Sequence, residues 1–184
     1  LAHQPVIVRT PLVYLKALSE ELGVAVFAKC EFRQLGAAAR SRGLYYYADR
    51  LMREHLNAVR GRADLQDKPF YFVTSSDGRH GAALAEVVSA LKKEYTKKYP
   101  DLAGSIRRVE TVVFAPRAIN PYNRQRLQDA LGGRHLFIRY ERLSDARRAA
   151  LAFCARISHE AQRPADVHYG CNARYIDGAE IDII

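Results

Sequence analysis

Phe70-Tyr-Phe-Val-Thr-Ser-Ser-Asp-Gly-Arg-His-Gly81 is an apolar run that breaks into a polar, glycine-marked loop. Apolar side chains occupy successive positions from Phe70 to Val73, which marks a strand covered on both faces. After the loop, Leu84, Val87, Val88 and Leu91 recur at helical spacing, and the pattern predicts a helix over 79–97. A buried strand, a tight loop and an amphipathic helix in that order form the opening of a βαβ unit. The loop from Thr74 to Gly81 then falls at the carboxyl end of the strand, the edge at which open α/β sheets bind ligands.

Downstream the unit repeats. Val109 to Phe114 reads as a strand ended by Pro116, and Asn120-Pro121 starts a helix that runs to Leu131 before Gly132-Gly133. His135 to Tyr140 is the next strand. Ser144-Asp145 opens a helix to about Glu160 with Leu151, Phe153, Cys154 and Ile157 on its buried side, and Asp166 to Gly170 reads as a further strand. Upstream, Val24 to Ala28 reads as a strand and Ser41 to Val59 as a helix carrying Tyr45, Tyr46 and Tyr47, of which at most one or two can line a pocket and the rest are expected in the core. Lys92 to Ser105, with its lysine pairs, Pro100 and Gly104, reads as a long polar connection. The expectation is one α/β domain over 1–184, an open, mostly parallel sheet with helices on both faces. The apolar tail at Ile181 to Ile184 needs a partner surface.

Composition narrows the function. A 48% hydrophobic and 27% charged chain of 184 residues can bury a real core. No apolar run approaches the roughly 18 residues that span a membrane. No leader is visible at the N-terminus, although the chain does not begin with Met. The formal charge of +9 invites a nucleic-acid reading, but the basic residues are spread through Arg50–Arg62, Lys92–Lys98, Arg107-Arg108 and Arg147-Arg148 with no nucleic-acid motif. A solvated basic surface is the preferred reading. Cys30, Cys154 and Cys171 suit neither a disulfide framework nor, with His168, a complete zinc site. Reduced thiols point to a cytoplasmic protein without a metal.

Several segments carry a family likeness: Arg9-Thr10-Pro11-Leu12, Lys29-Cys30-Glu31, the stretch Glu31 to Gly43, and Asp77-Gly-Arg-His-Gly81. Val112 to Pro116 with the Arg-rich helix and Gly132-Gly133 after it, and Asp177-Gly-Ala-Glu180, extend it over nearly the whole chain. Together they resemble the fold-type-II pyridoxal-phosphate enzymes, in particular the threonine dehydratase and diaminopropionate ammonia-lyase group and tryptophan synthase beta-like proteins. The Asp-Gly-x-His-Gly loop is the most specific part.

The resemblance also exposes departures. Arg40 stands where the family has its Schiff-base lysine, and a guanidinium cannot act as the imine-forming amine. Arg79 stands where the family has an asparagine facing the cofactor ring, and no counterpart of the later glycine-rich phosphate loop occurs before Ile184. These departures imply a protein that works without the cofactor. The expected function is a cofactor-independent derivative of an ammonia-lyase, its pocket turned to binding or acid/base chemistry on a small carboxylate or phosphate. His80, Asp77 and Arg40 are the candidate catalytic residues, with Ser75, Ser76, Gly78 and Arg79 binding the anion. The runner-up is a catalytically silent scaffold or regulatory subunit, or one piece of a split enzyme, associating with itself or a partner protein. Plainer readings stand beside these: His80 packing at the loop, Asp77 as a turn or cap residue, and Lys29 as a structural residue at a strand end.

Overall fold

The strand at Phe70–Ser75 lies in the interior of the sheet because both of its edges are hydrogen-bonded. In the computed structural model, residues 7–132, 134–160 and 172–176 are described. The elements follow as β1 (Leu12–Tyr14), α1 (Lys16–Leu22), β2 (Phe27–Lys29), α2 (Ser41–Gly61), β3 (Phe70–Ser75) and α3 (Arg79–Lys98). After them come α4 (Ala103–Arg107), β4 (Val109–Pro116), α5 (Pro121–Leu131), β5 (Leu136–Tyr140), α6 (Leu143–Glu160) and β6 (Asn172–Tyr175). The sheet has the order β5-β4-β3-β6, and every pairing in it is parallel.

Alternation along the strands separates the two faces. Phe70 and Phe72 of β3 and Val109 of β4 pack on α2 and α3, while Val113 and Ala115 meet Leu127 of α5 on the same side. Val73, Val112 and Phe114 point the other way, to Ala146, Ala150 and Ile157 of α6. This explains the unbroken apolar character of β3 and β4, since a parallel strand with helices on both faces has no wet side. The stripe on α2 (Leu44, Ala48, Leu51, Met52, Leu56 and Val59) is buried throughout, and its spacing of three and four is that of one helix face. Of the tyrosine row, Tyr45 and Tyr47 pack against this core and Tyr46 is exposed.

Three local expectations are corrected. The strand read at Val24–Ala28 is Phe27–Lys29, and it pairs antiparallel with Leu12–Tyr14 in a separate two-stranded ribbon, outside the parallel sheet. Nearby β-prone runs joined by a short helix close a cheap local loop, and that pairing wins over insertion in the main sheet. The stretch read as a polar connection at Lys92–Ser105 is mostly helical: α3 continues to Lys98, and a 3-10 turn at Pro100–Leu102 leads into α4. Leu102 and Ile106 are buried there, so two apolar residues among the charges anchor the segment. On α6 the buried stripe is Ala146, Ala150 and Ile157 with Phe153 and Cys154 half-buried, and Leu151 is exposed one position off it.

The readings at 166–170, His168, Cys171, 177–180, Gly133 and the apolar tail lie outside the described residues. Among the described residues, no helix is long and apolar enough to cross a membrane.

Candidate functional site

The loop between β3 and α3 is built around one hydroxyl. Ser76 is buried, and its Oγ accepts the backbone N–H of Gly78 at 3.0 Å and of Gly81 at 2.9 Å. Its own N–H donates to the Phe114 carbonyl at 2.9 Å, which ties the loop to the end of β4. Two of the donors left open at the start of α3 are therefore satisfied from within the loop. Gly78, with φ 132° and ψ −62°, is in a conformation that side chains avoid, and a Cβ there would meet the Asn123 side chain of α5. Asn123 Nδ2 also donates to the Asp77 carbonyl at 3.3 Å. Gly81 has no room for a side chain either, with Leu127 and Val113 each 2.9 Å from where a Cβ would sit.

These contacts sort the residues read as a site. Ser75 to His80 share the loop and the first turn of α3, as expected. Ser76, read as an anion-binding residue, has both acceptor positions of its hydroxyl oxygen engaged at the helix start. Asp77 and Arg79 are exposed, whereas His80 is buried at the core side of α3. Arg79 and His80 are consecutive in a helix, so their side chains leave it about 100° apart. Arg40 is exposed and stands at the start of α2, on a different element. The turn before it packs against α3: Gly36 has φ 71° and faces Ala83, and its carbonyl accepts from Arg126 of α5.

A polar cluster that the sequence reading did not single out holds the segment Val8–Thr10 in place. Thr10 Oγ1 donates to Glu31 Oε1 at 2.5 Å, and Arg42 donates to Glu31 Oε2 at 3.2 Å and to the Val8 carbonyl at 3.0 Å. Gln34 exchanges hydrogen bonds with Val8 in both directions. The Thr10 hydroxyl and the Arg42 guanidinium hold the Glu31 carboxyl below its ordinary range. Lys29 Nζ donates to the Thr10 carbonyl at 2.5 Å. The structural role read for Lys29 is therefore the observed one. The available sequence signal was the co-occurrence of Thr10, Glu31 and Arg42 near the family-like segments, which spacing alone does not connect.

Residues 3–96, just over half of the chain, match the family model described as pyridoxal-phosphate dependent enzyme. Among solved structures, the L-serine ammonia-lyase of Rhizomucor miehei is 23% identical with a TM-score of 0.54, over 97% of this chain and 44% of that one. Diaminopropionate ammonia lyase of Escherichia coli, in complex with D-serine, is 18% identical with a TM-score of 0.59, over 81% of this chain and 36% of that one. The processed form of threonine deaminase isoform 2 from Solanum lycopersicum is 19% identical with a TM-score of 0.52, over 94% and 35% respectively. At these identities the likeness is one of fold, and the chain spans less than half the length of each. No curated protein matches it.

Whether the residues present fit pyridoxal phosphate turns on a lysine amine, because the aldehyde is held as an imine. All seven lysines can be followed. Lys16 pairs with Glu20 at 3.8 Å on the surface of α1, and Lys29 is bound to the Thr10 carbonyl. Lys68 precedes β3, roughly 20 Å from the loop by strand rise. Lys92, Lys93, Lys97 and Lys98 lie in the second half of α3, about 20 Å or more along the helix from its start. With Arg40 at the start of α2, this donor set does not fit a covalently anchored cofactor at the loop.

Proposed function

This chain belongs to the pyridoxal-phosphate dependent enzyme family, and from that premise we propose that it is a catalytically silent member, a scaffold or regulatory subunit that works by protein association. The observation that carries the reading is the division of the loop residues. Ser76 is committed to the cap of α3, His80 is buried, and Asp77 and Arg79 face solvent. Acid/base chemistry on a small anion requires those groups to face one volume within hydrogen-bond reach of it. The alternative of a repurposed catalytic pocket is correspondingly weaker.

The association half of the reading is supported by the ribbon. Leu12, Val24, Phe27 and Phe32 are 62%, 60%, 53% and 66% exposed, and Tyr14 and Leu22 stand open beside them. An apolar face of this kind on a soluble protein marks an interaction surface. A second copy is the occupant we assign. Between residues 12 and 28 one lysine stands against two glutamates, in a chain of net charge +9. The ribbon is therefore a surface on which two such basic chains can approach with little repulsion, in a twofold contact of like surfaces.

Light scattering on the purified chain tests this. A dimer is expected, with the Leu12→Glu/Phe27→Glu double variant monomeric and its far-ultraviolet spectrum unchanged; a monomeric parent would overturn the association. The silent half is tested by mixing with pyridoxal phosphate, reducing with borohydride and mapping peptides. No stoichiometric adduct is expected at Lys29 and no ammonia release from serine. Either one would overturn that half.

A further inference from the structure

At the amino edge of the sheet, opposite the β3–α3 loop, lies a cavity of about 660 Å³ between α3, α4, the start of β4 and the end of α5. Its size is that of a small-molecule site, for which roughly 300–1,000 Å³ is usual. Ala85, Val88, Ile106, Val109 and Leu131 give it an apolar floor, the first four of them buried. Its rim is cationic. Lys93 and Lys97 lie one turn apart on α3, and Arg107 and Arg134 complete the rim from α4 and from the segment before β5.

The neighbouring charges are already engaged in ways that leave this rim positive. Lys92 Nζ donates to the Arg107 carbonyl at 3.0 Å and the Val109 carbonyl at 2.5 Å, so it fastens α3 to the start of β4, and burial lowers its pKa. Glu110, the carboxylate lining the cavity, contacts His135 Nε2, and its single negative charge stands against Lys93, Lys97, Arg107 and Arg134. Lys93, Lys97 and Arg134 have no carboxylate partner among the described residues. The arginines on α2 differ in this respect: Arg42, Arg50, Arg53 and Arg60 pair with Glu31, Glu54, Asp49 and Asp101. Like charges gathered over a concave, apolar wall focus a positive potential into it.

We propose that this cavity binds a small organic phosphate, with the ring or apolar body on the Val88–Ile106–Leu131 floor and the phosphate among Lys93, Lys97 and Arg134. The lysines meet the phosphate as point charges and Arg134 through its planar fork. The concavity and the apolar floor favour a small molecule over nucleic acid, whose backbone is met by open basic surface. The site is separate from the loop at the other edge of the sheet, and it stands whether or not the chain is silent.

Calorimetric titration of the whole chain with phenyl phosphate at low salt tests the proposal, with inorganic phosphate as the arm that lacks a ring. Phenyl phosphate is expected to bind saturably at one site, about tenfold or more tighter than inorganic phosphate, and more weakly as salt is added. The Lys93→Gln/Lys97→Gln/Arg134→Gln variant, checked for an unchanged melting transition, is expected to lose at least about tenfold in affinity. Arg50→Gln, on the outer face of α2, is expected to bind as the parent does. Absence of saturable binding, equal affinity for the two phosphates, or affinity that survives the triple variant would each overturn the proposal. If a single-stranded RNA is bound through the same three residues and phenyl phosphate is not, the surface is a nucleic-acid contact and the proposal likewise fails.

Discussion

The Ser76 hydroxyl accepts the backbone N–H of Gly81 at 2.9 Å, across the loop that ends β3 and begins α3. A second bond from the Gly78 N–H closes the loop on the same oxygen. One side chain thus joins the strand to the helix, and it does so in the segment whose composition most resembles a ligand-binding loop. The same serine that reads as an anion donor from sequence works as an internal acceptor.

Ser76→Ala is expected to destabilise the protein by about 1–2 kcal/mol, the usual cost of losing a helix cap with buried donors left open. The denaturant midpoint should fall with little change in slope. Because Ser76 is read as structural, binding of phenyl phosphate at the far edge should be unaffected wherever the variant is folded.

Gly78→Ala should cost more than the cap. Its φ of 132° disfavours any side chain, and a Cβ would also run into the Asn123 Cβ and lie 2.8 Å from its Cγ. Together these amount to roughly 2–4 kcal/mol, strain and overpacking being of similar size. Asn123→Ala in the same chain removes the Cγ and Nδ2 contacts but leaves the Asn123 Cβ position filled and the backbone strained, so it should restore only a small part of the loss. Full restoration would show that the conformation itself costs little.

How much of this was legible in the sequence depended on the range of the interaction. β3, β4 and α5 carry local patterns strong enough to read: apolar runs without alternation, and Asn120-Pro121 with Asn120 Oδ1 accepting from Tyr122 N at 2.8 Å. The β1–β2 ribbon was missed because pairing partners are not written in either strand alone. The direction of Ser76 was hidden for another reason. A hydroxyl that caps and one that binds a ligand have the same sequence, and only the backbone path separates them. The basic rim of the cavity is the third case: Lys93, Lys97 and Arg134 look scattered along the chain, and they meet because α3 and α5 lie side by side.

Thr10→Val should release the Glu31 carboxyl. The Thr10 hydroxyl is the largest of the contacts that hold Glu31 below its ordinary value of 4.5, and Arg42 is the next. A depressed carboxylate contributes stability above its unfolded pKa and loses it as pH falls through its folded one. Carboxyl-carbon NMR should show Glu31 in the variant titrating closer to 4.5. Stability at neutral pH should drop by about 1 kcal/mol, as for a charged hydrogen bond at a partly open site. An unmoved Glu31 titration would assign the shift to Arg42 alone.

His55 sets the other acid-sensitive window. It is buried on α2, its ring stacks on Phe70 at 4.6 Å, and its Nε2 has no hydrogen-bond partner among the described residues. Burial pushes it from its ordinary 6.5 down to about 4. A base lowered in this way is neutral in the folded protein at pH values where the unfolded chain already takes a proton. Below about pH 6.5 the unfolded state therefore binds more protons, and stability falls steadily until the folded value near 4 is reached. The loss over that window is on the order of 3 kcal/mol, from 1.36 kcal/mol for each pKa unit. Above pH 6.5 the histidine imposes no pH dependence. His55→Leu removes the titrating group and keeps an apolar side chain against Phe70, so the two proteins should differ little at pH 7.5. At pH 4.5 the variant should be the more stable by about 2.5 kcal/mol. Chemical denaturation at a series of pH values measures both limbs, and parallel curves for the two proteins would place the acid sensitivity elsewhere.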